Sequence, residues 1–136
     1  MRNITAKATE AFWAGKKFRK GGSGETEVEV DDAEVTLWLH GSVIARRPRN
    51  STRLEISAAG WSTLTTKERL NGVLQRLGYG IWQQDFVWYC NVPFDHPLHS
   101  GQSEDRETIQ FDTSRVAWTL IHPGSDLERL AATKEN

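Results

Sequence analysis

From Leu70 onward the hydrophobic period of this chain turns helical, and in most other segments it does not. Leu70, Val73, Leu74 and Leu77 recur at i, i+3, i+4 and i+7, which lines one side of an α-helix. Thr65 and Glu68 have the spacing of a capping box, in which the threonine hydroxyl accepts from the third helical amide while the glutamate reaches back to the cap amide. Gly78 stands where a left-handed residue closes a helix, so the spacing predicts a helix over 65–77. Ahead of it, Val28 and Val30, then Val35, Leu37 and Leu39, alternate with Glu and Thr at the period of half-buried strands. A chain that switches between the two periods must bury sheet faces against a helix stripe, which makes the class α+β.

Short turns are expected to pair the strands. In "LWLHGSVIA", Gly41 and Ser42 form a two-residue loop with glycine first, the preference of a type II′ turn, which sets His40 opposite Val43 and Leu39 opposite Ile44. "RRPRNST" leaves the sheet as a loop, since Pro48 has no amide proton to give and Asn50 with Ser51 favours a turn. A strand resumes with Leu54 and Ile56 on one face. "YGIWQQDFVWYCNV" reads as two strands joined through Gln83 to Asp85, with Phe86, Trp88 and Cys90 on one face and Val87 and Tyr89 on the other. Further strands follow at "TIQF" and "SRVAWTLIHP", beyond the proline- and charge-rich loop "PFDHPLHSGQSEDRE".

At the N-terminus, Ile4, Ala8, Ala11, Phe12 and Phe18 share one side of an amphipathic helix over 4–18. Gly21, Gly22, Ser23 and Gly24 connect it flexibly, so residues 1–20 either dock on the body at 25–136 or swing as an arm. At the other end Ser125 and Glu128 repeat the capping-box spacing ahead of Leu127, Leu130 and Ala131. The expected fold is one α+β domain over 1–136, an antiparallel sheet of about five to seven strands with one central amphipathic helix packed on it and short flanking N- and C-terminal helices.

A chain of 136 residues with six tryptophans can bury a core without staples, and Cys90, its single cysteine, permits no internal disulfide, which points to a cytoplasmic setting. No segment approaches the roughly 20 apolar residues of a membrane helix, so no membrane partner is expected. A net charge of −1 removes the global-charge argument for nucleic acid, but the charge is segregated. Six basic side chains stand against Glu10 in residues 1–20, six carboxylates fill 25–34, and Arg46, Arg47, Arg49 and Arg53 crowd one segment.

Catalytic patterns are sparse. There is no glycine-rich phosphate loop after a strand, no Gly-x-Ser-x-Gly and no pair of histidines at helical i, i+4 spacing. Cys90, His96 and His99, with Asp95, are the best metal ligands by type, but their spacing follows no standard site, and ordinary loop histidines are the simpler account. His40 likewise reads as a residue flanking a turn. No catalytic residue, metal site or cofactor is assigned. What remains is a basic and aromatic surface: Arg46, Arg47, Arg49 and Arg53, with Trp61, Lys67, Arg69 and Asn71 off the apolar stripe. Arg and Trp anchor protein interfaces, and guanidinium groups beside rings also grip phosphates and stack bases.

"LWLHGSVIA" and "GWSTLTTKERLN", in that order, resemble a group of small tailed-bacteriophage proteins that carry a Leu-x-Leu-His-Gly-x-x-Ile-Ala hairpin followed by Gly-Trp-x-Thr-x-Thr-Thr-Lys-Glu-Arg-Leu-Asn. The matching positions are Leu37, Leu39, His40, Gly41, Ile44 and Ala45, then Gly60, Trp61, Thr63, and Thr65 through Asn71, and the resemblance covers about residues 34–92. It implies a phage setting, hence the host cytoplasm, and brings no assigned reaction or ligand. The expected function is that of an accessory protein that binds another macromolecule without catalysis, a host or phage protein first. Single-stranded nucleic acid is the alternative, and a small metal-dependent hydrolase or nuclease the third reading.

Overall fold

The computed structural model describes residues 3–21, 25–93, 106–114 and 117–122. Helix α1 (Asn3–Ala14) leads into a short strand β1 (Phe18–Lys20), then β2 (Thr26–Val30), β3 (Glu34–Leu39), β4 (Ser42–Pro48) and β5 (Leu54–Ile56). Helix α2 (Leu64–Gln75) follows, and β6 (Ile81–Gln84), β7 (Val87–Pro93), β8 (Arg106–Gln110) and β9 (Thr119–His122) complete the described elements. Every strand pair is antiparallel. The strands form two sheets, one of six in the order β1-β2-β3-β4-β5-β9 and one of three in the order β6-β7-β8.

The α+β class therefore holds, while the single sheet with one central helix is corrected to two sheets and two packed helices. Asn71 covers the start of the free edge of β6. Its Oδ1 accepts from the Ile81 amide at 2.6 Å and its Nδ2 donates to the Ile81 carbonyl at 3.1 Å, so a side chain occupies the outer edge of β6 where another strand would pair.

Helix α1 ends earlier than its apolar spacing suggests. Gly15 is left-handed at φ 69° and the Lys16 amide donates to the Ala11 carbonyl, a Schellman closure that frees Phe18 to enter β1 opposite Val28. The helix packs on α2 and on β1 to β3. Of the glycine connector only Gly21 lies within the described residues, as does nothing of the C-terminal helix expected around Ser125 and Glu128.

Helix α2 begins two residues ahead of the expected cap. Thr63, extended at φ −106° and ψ 160°, accepts from the Thr66 amide, while Thr65 lies inside the helix. Glu68 is thereby released from the cap and holds Arg69 at 2.8 Å. The far end matches expectation, with Gly78 left-handed at φ 83° and the Tyr79 amide returning to the Leu74 carbonyl. Leu70, Val73 and Leu74 are fully buried, as their spacing requires, and Thr66, Arg69 and Gly72 are buried beside them.

The β3–β4 hairpin turns at His40–Gly41, both left-handed at φ 50° and 81°, which is a type I′ geometry with glycine second. Leu39 then faces Ser42 and Trp38 faces Val43, one step from the expected pairing, and a bulge shifts the register so that Leu37 faces Ala45. Ile44 and Ala45 are both buried as a result. Strand β4 continues through Arg46 and Arg47 to Pro48, where a missing amide is tolerated because the strand ends, so the expected arginine loop begins only at Arg49.

One cluster of buried apolar side chains runs through the molecule. It includes Phe12 from α1, Val28, Leu37 and Ile121 from the large sheet, Leu70 and Leu74 from α2, and Ile81, Trp88 and Cys90 from the small sheet. Among the described residues no helix is long and apolar enough to cross a membrane.

Candidate interaction surface

Alternation along β4 sends its two arginines to opposite faces. Arg46 lies on the outer face, with Nε 3.3 Å from Glu55 Oε1 and its guanidinium 3.9 Å above the Trp118 ring. Arg47 points inward, is 4% exposed, and donates to the carbonyls of Phe12, Trp13, Pro48, Arg49 and Ser51 at 2.7–3.3 Å. Two of those carbonyls belong to the last turn of α1, so Arg47 caps that helix with its charge. Burial lowers its pKa from the ordinary guanidinium value.

Arg69 is also interior, at 2% exposure. Its Nε donates to Thr26 Oγ1 at 3.1 Å, and its Nη1 reaches both Thr5 Oγ1 and Glu68 Oε1, tying α2 to α1 and to β2. Asn71 serves the edge of β6 as described above. Of the residues expected on a partner surface, Arg47 and Arg69 are therefore buried, and half-buried Asn71 is bonded to the backbone of β6. Arg49 and Arg53 are exposed and precede β5 in the chain, whereas Trp61 follows it.

A different set of side chains meets the solvent around α2. Trp61 is 49% exposed and Leu64 78%. One turn further, Lys67 extends its ammonium to within 3.5 Å of Gln83 Oε1 and 5.6 Å of the centre of the Trp88 ring, which brings the helix start against the β6–β7 hairpin. At the tip of that hairpin Phe86 is 92% exposed. An open depression of about 450 Å³ lies beside it, lined by Val87, Trp88, Phe111, Asp112 and Thr113. On the small sheet, Trp82 is also exposed and stacks on Tyr89 with ring centres 6.1 Å apart.

Leu64 and Phe86 were missed by sequence reading for identifiable reasons. The expected helix began after Leu64, which hid its place on the first turn. Phe86 keeps the parity of Trp88 and Cys90 but falls in the turn, where Asp85 and Phe86 take φ of 52° and 67°. Among the described residues the two other turns with consecutive left-handed residues, the His40–Gly41 hairpin and the Ala59–Gly60 turn after β5, place glycine second, which the tip does not.

No metal centre is assembled by the described residues, which contain no group of three or more His, Cys, Asp and Glu able to hold an ion. Cys90 is fully buried, and desolvation pushes its thiol up to about 12, which disfavours the thiolate that binds metal or attacks an electrophile. Asp95, His96 and His99 lie outside the described residues. His40 occupies an exposed left-handed turn position.

Residues 1–117 match the family model described as Kyanoviridae Gp96 protein, so the chain belongs to that family and is a small phage protein. The match extends well beyond the hairpin and helix motifs on which the phage resemblance rested. No curated protein and no solved structure matches the chain.

Proposed function

We propose that this member of the Kyanoviridae Gp96 family is an accessory protein that binds a host or phage protein, without catalysis of its own, in the host cytoplasm. The observation that carries the reading is the exposure of Trp61, Leu64 and Phe86 on two segments that Lys67 joins. Large apolar side chains held in water on linked segments are the anchors that interfaces use, and nothing in folding alone rewards them. Of the basic residues first expected at a partner surface, Arg49 and Arg53 remain available for a second, peripheral contact.

The test is a pull-down from host lysate, infected and uninfected, with wild-type protein and a Trp61→Ala/Leu64→Ala variant. Leu64 is largely solvated and Trp61 about half, so the variant should melt within a few degrees of wild type. Specific partners retained by the wild type and lost by the variant support the reading, and an identical partner list removes this surface.

Single-stranded nucleic acid remains a second reading because exposed Trp82 stacks on half-buried Tyr89, a platform of the kind that receives bases. Two of the guanidinium groups that would have held the phosphates are interior. A fluorescence titration with oligonucleotides decides it: salt-dependent quenching of the tryptophans supports the reading, and no binding at low salt ends it.

A further inference from the structure

We propose that Phe86 is the anchor of this interface, inserted into an apolar pocket of a protein partner whose rim carries lysine and arginine. This deepens the protein-binding reading and rests on it. The argument begins with the backbone. A two-residue hairpin with both central residues left-handed favours glycine second, because a side chain there crowds its own backbone. This chain places Phe86 at that position with φ 67°, although it supplies Gly41 to the same position of the β3–β4 hairpin and Gly60 to that of the turn after β5. Phe86 recovers little by burial, since 92% of it faces solvent. A residue that strains the backbone and packs little of itself inside the chain is explained by what it meets outside.

The surrounding charge selects the class of partner. Asp85 precedes Phe86 in the same turn, and Asp112 lines the depression beside it. Lys67, the nearby ammonium, is engaged with Gln83 and the Trp88 ring. An anionic membrane or a nucleic acid would bring phosphates to these carboxylates, and a second copy of the chain docked tip to tip would bring like carboxylates together. A pocket with a basic rim meets them with opposite charge, which favours encounter and penalises wrong partners.

The experiment uses the full chain and Phe86→Gly, for which the inference requires effects of opposite sign. Relief of the left-handed phenylalanine should raise the melting temperature by about 3–6 °C. A display library of random peptides, panned on wild type and counter-selected on Phe86→Gly, should yield peptides with an apolar residue flanked by Lys or Arg. Those peptides should bind Phe86→Gly at least about tenfold more weakly, and added salt should weaken their hold on the wild type. An unchanged or lower melting temperature overturns the inference, as does a library that yields acidic peptides or none dependent on Phe86. Peptides that survive Phe86→Gly but are lost with Trp61→Ala/Leu64→Ala overturn Phe86 as the anchor while leaving the protein-binding reading intact. Binding to anionic lipid vesicles or oligonucleotides that Phe86→Gly abolishes overturns the choice of partner.

Discussion

At the scale of the single residue, Arg47 shows how a cation can look functional and be structural. Five carbonyls converge on its guanidinium, which sits above the rings of Phe12 and Trp13 at 5.5 and 5.2 Å. Arg47→Ala removes the guanidinium from the buried carbonyls of Phe12 and Ser51, and should lower unfolding stability by roughly 2–4 kcal/mol. Arg47→Lys should recover only a small part, because one ammonium cannot reproduce a planar fork. Urea unfolding followed by circular dichroism measures both, and an Ala variant within experimental error of wild type would show that water replaces the guanidinium. The sequence made Arg47 look exposed because it stands in "RRPR", a run of charge before a proline. Its true neighbour in the pairing is Val35, an inward residue, and that pairing depends on the turn at His40–Gly41 and on the bulge after it. Residue type was visible at Arg47, whereas its face was set by register, which a local charge pattern does not carry.

At the scale of the element, α2 was the most legible piece of the chain, and only half of it was understood. Its stripe of Leu70, Val73 and Leu74 and its glycine closure follow from local spacing. Its second buried side, with Arg69 and Gly72, exists because α1 packs there, a contact between segments more than 50 residues apart. Gly72 marks the closest approach of the helices, for a Cβ added there would stand 2.5 Å from Thr9 Oγ1 and 2.6 Å from Thr5 Cγ2. Two effects therefore compete in Gly72→Ala. Helix propensity favours alanine by about 1 kcal/mol, and the clash with two β-branched side chains on a neighbouring helix opposes it by about 1–3 kcal/mol. The clash should win, since the neighbours are stiff and Thr5 is held in the Arg69 network, so the variant should melt lower than wild type. A higher melting temperature would mean that α1 yields readily, and that its docking contributes little to the fold.

At the scale of the molecule, the arrangement least visible in sequence is the joining of the two sheets. Strand β9 pairs with β5 across most of the second half of the chain and also contacts β7, so it belongs to the large sheet while touching the small one. Neither relation leaves a periodic mark, because both depend on where distant segments come to rest. Their energetic consequence can be measured at Cys90. The thiol sits on β7 within the same buried cluster as Leu74 and Ile121, and burial pushes it up to about 12, so at pH 8 the folded chain presents neither an accessible sulfur nor a thiolate. A disulfide reagent should therefore leave the native protein unmodified and react only as the chain opens. If the shared cluster makes the sheets one cooperative unit, pulsed thiol labelling along a urea series should have the same midpoint as far-ultraviolet circular dichroism, which reports chiefly on the larger sheet and the helices. Labelling that precedes the loss of circular dichroism would show β6 to β8 opening first. In that case the hairpin tip carrying Phe86 would stand on the less stable part of the molecule, where binding segments are commonly found. Coincident transitions instead give the tip a rigid base, so that its exposed ring is presented to a partner already in place.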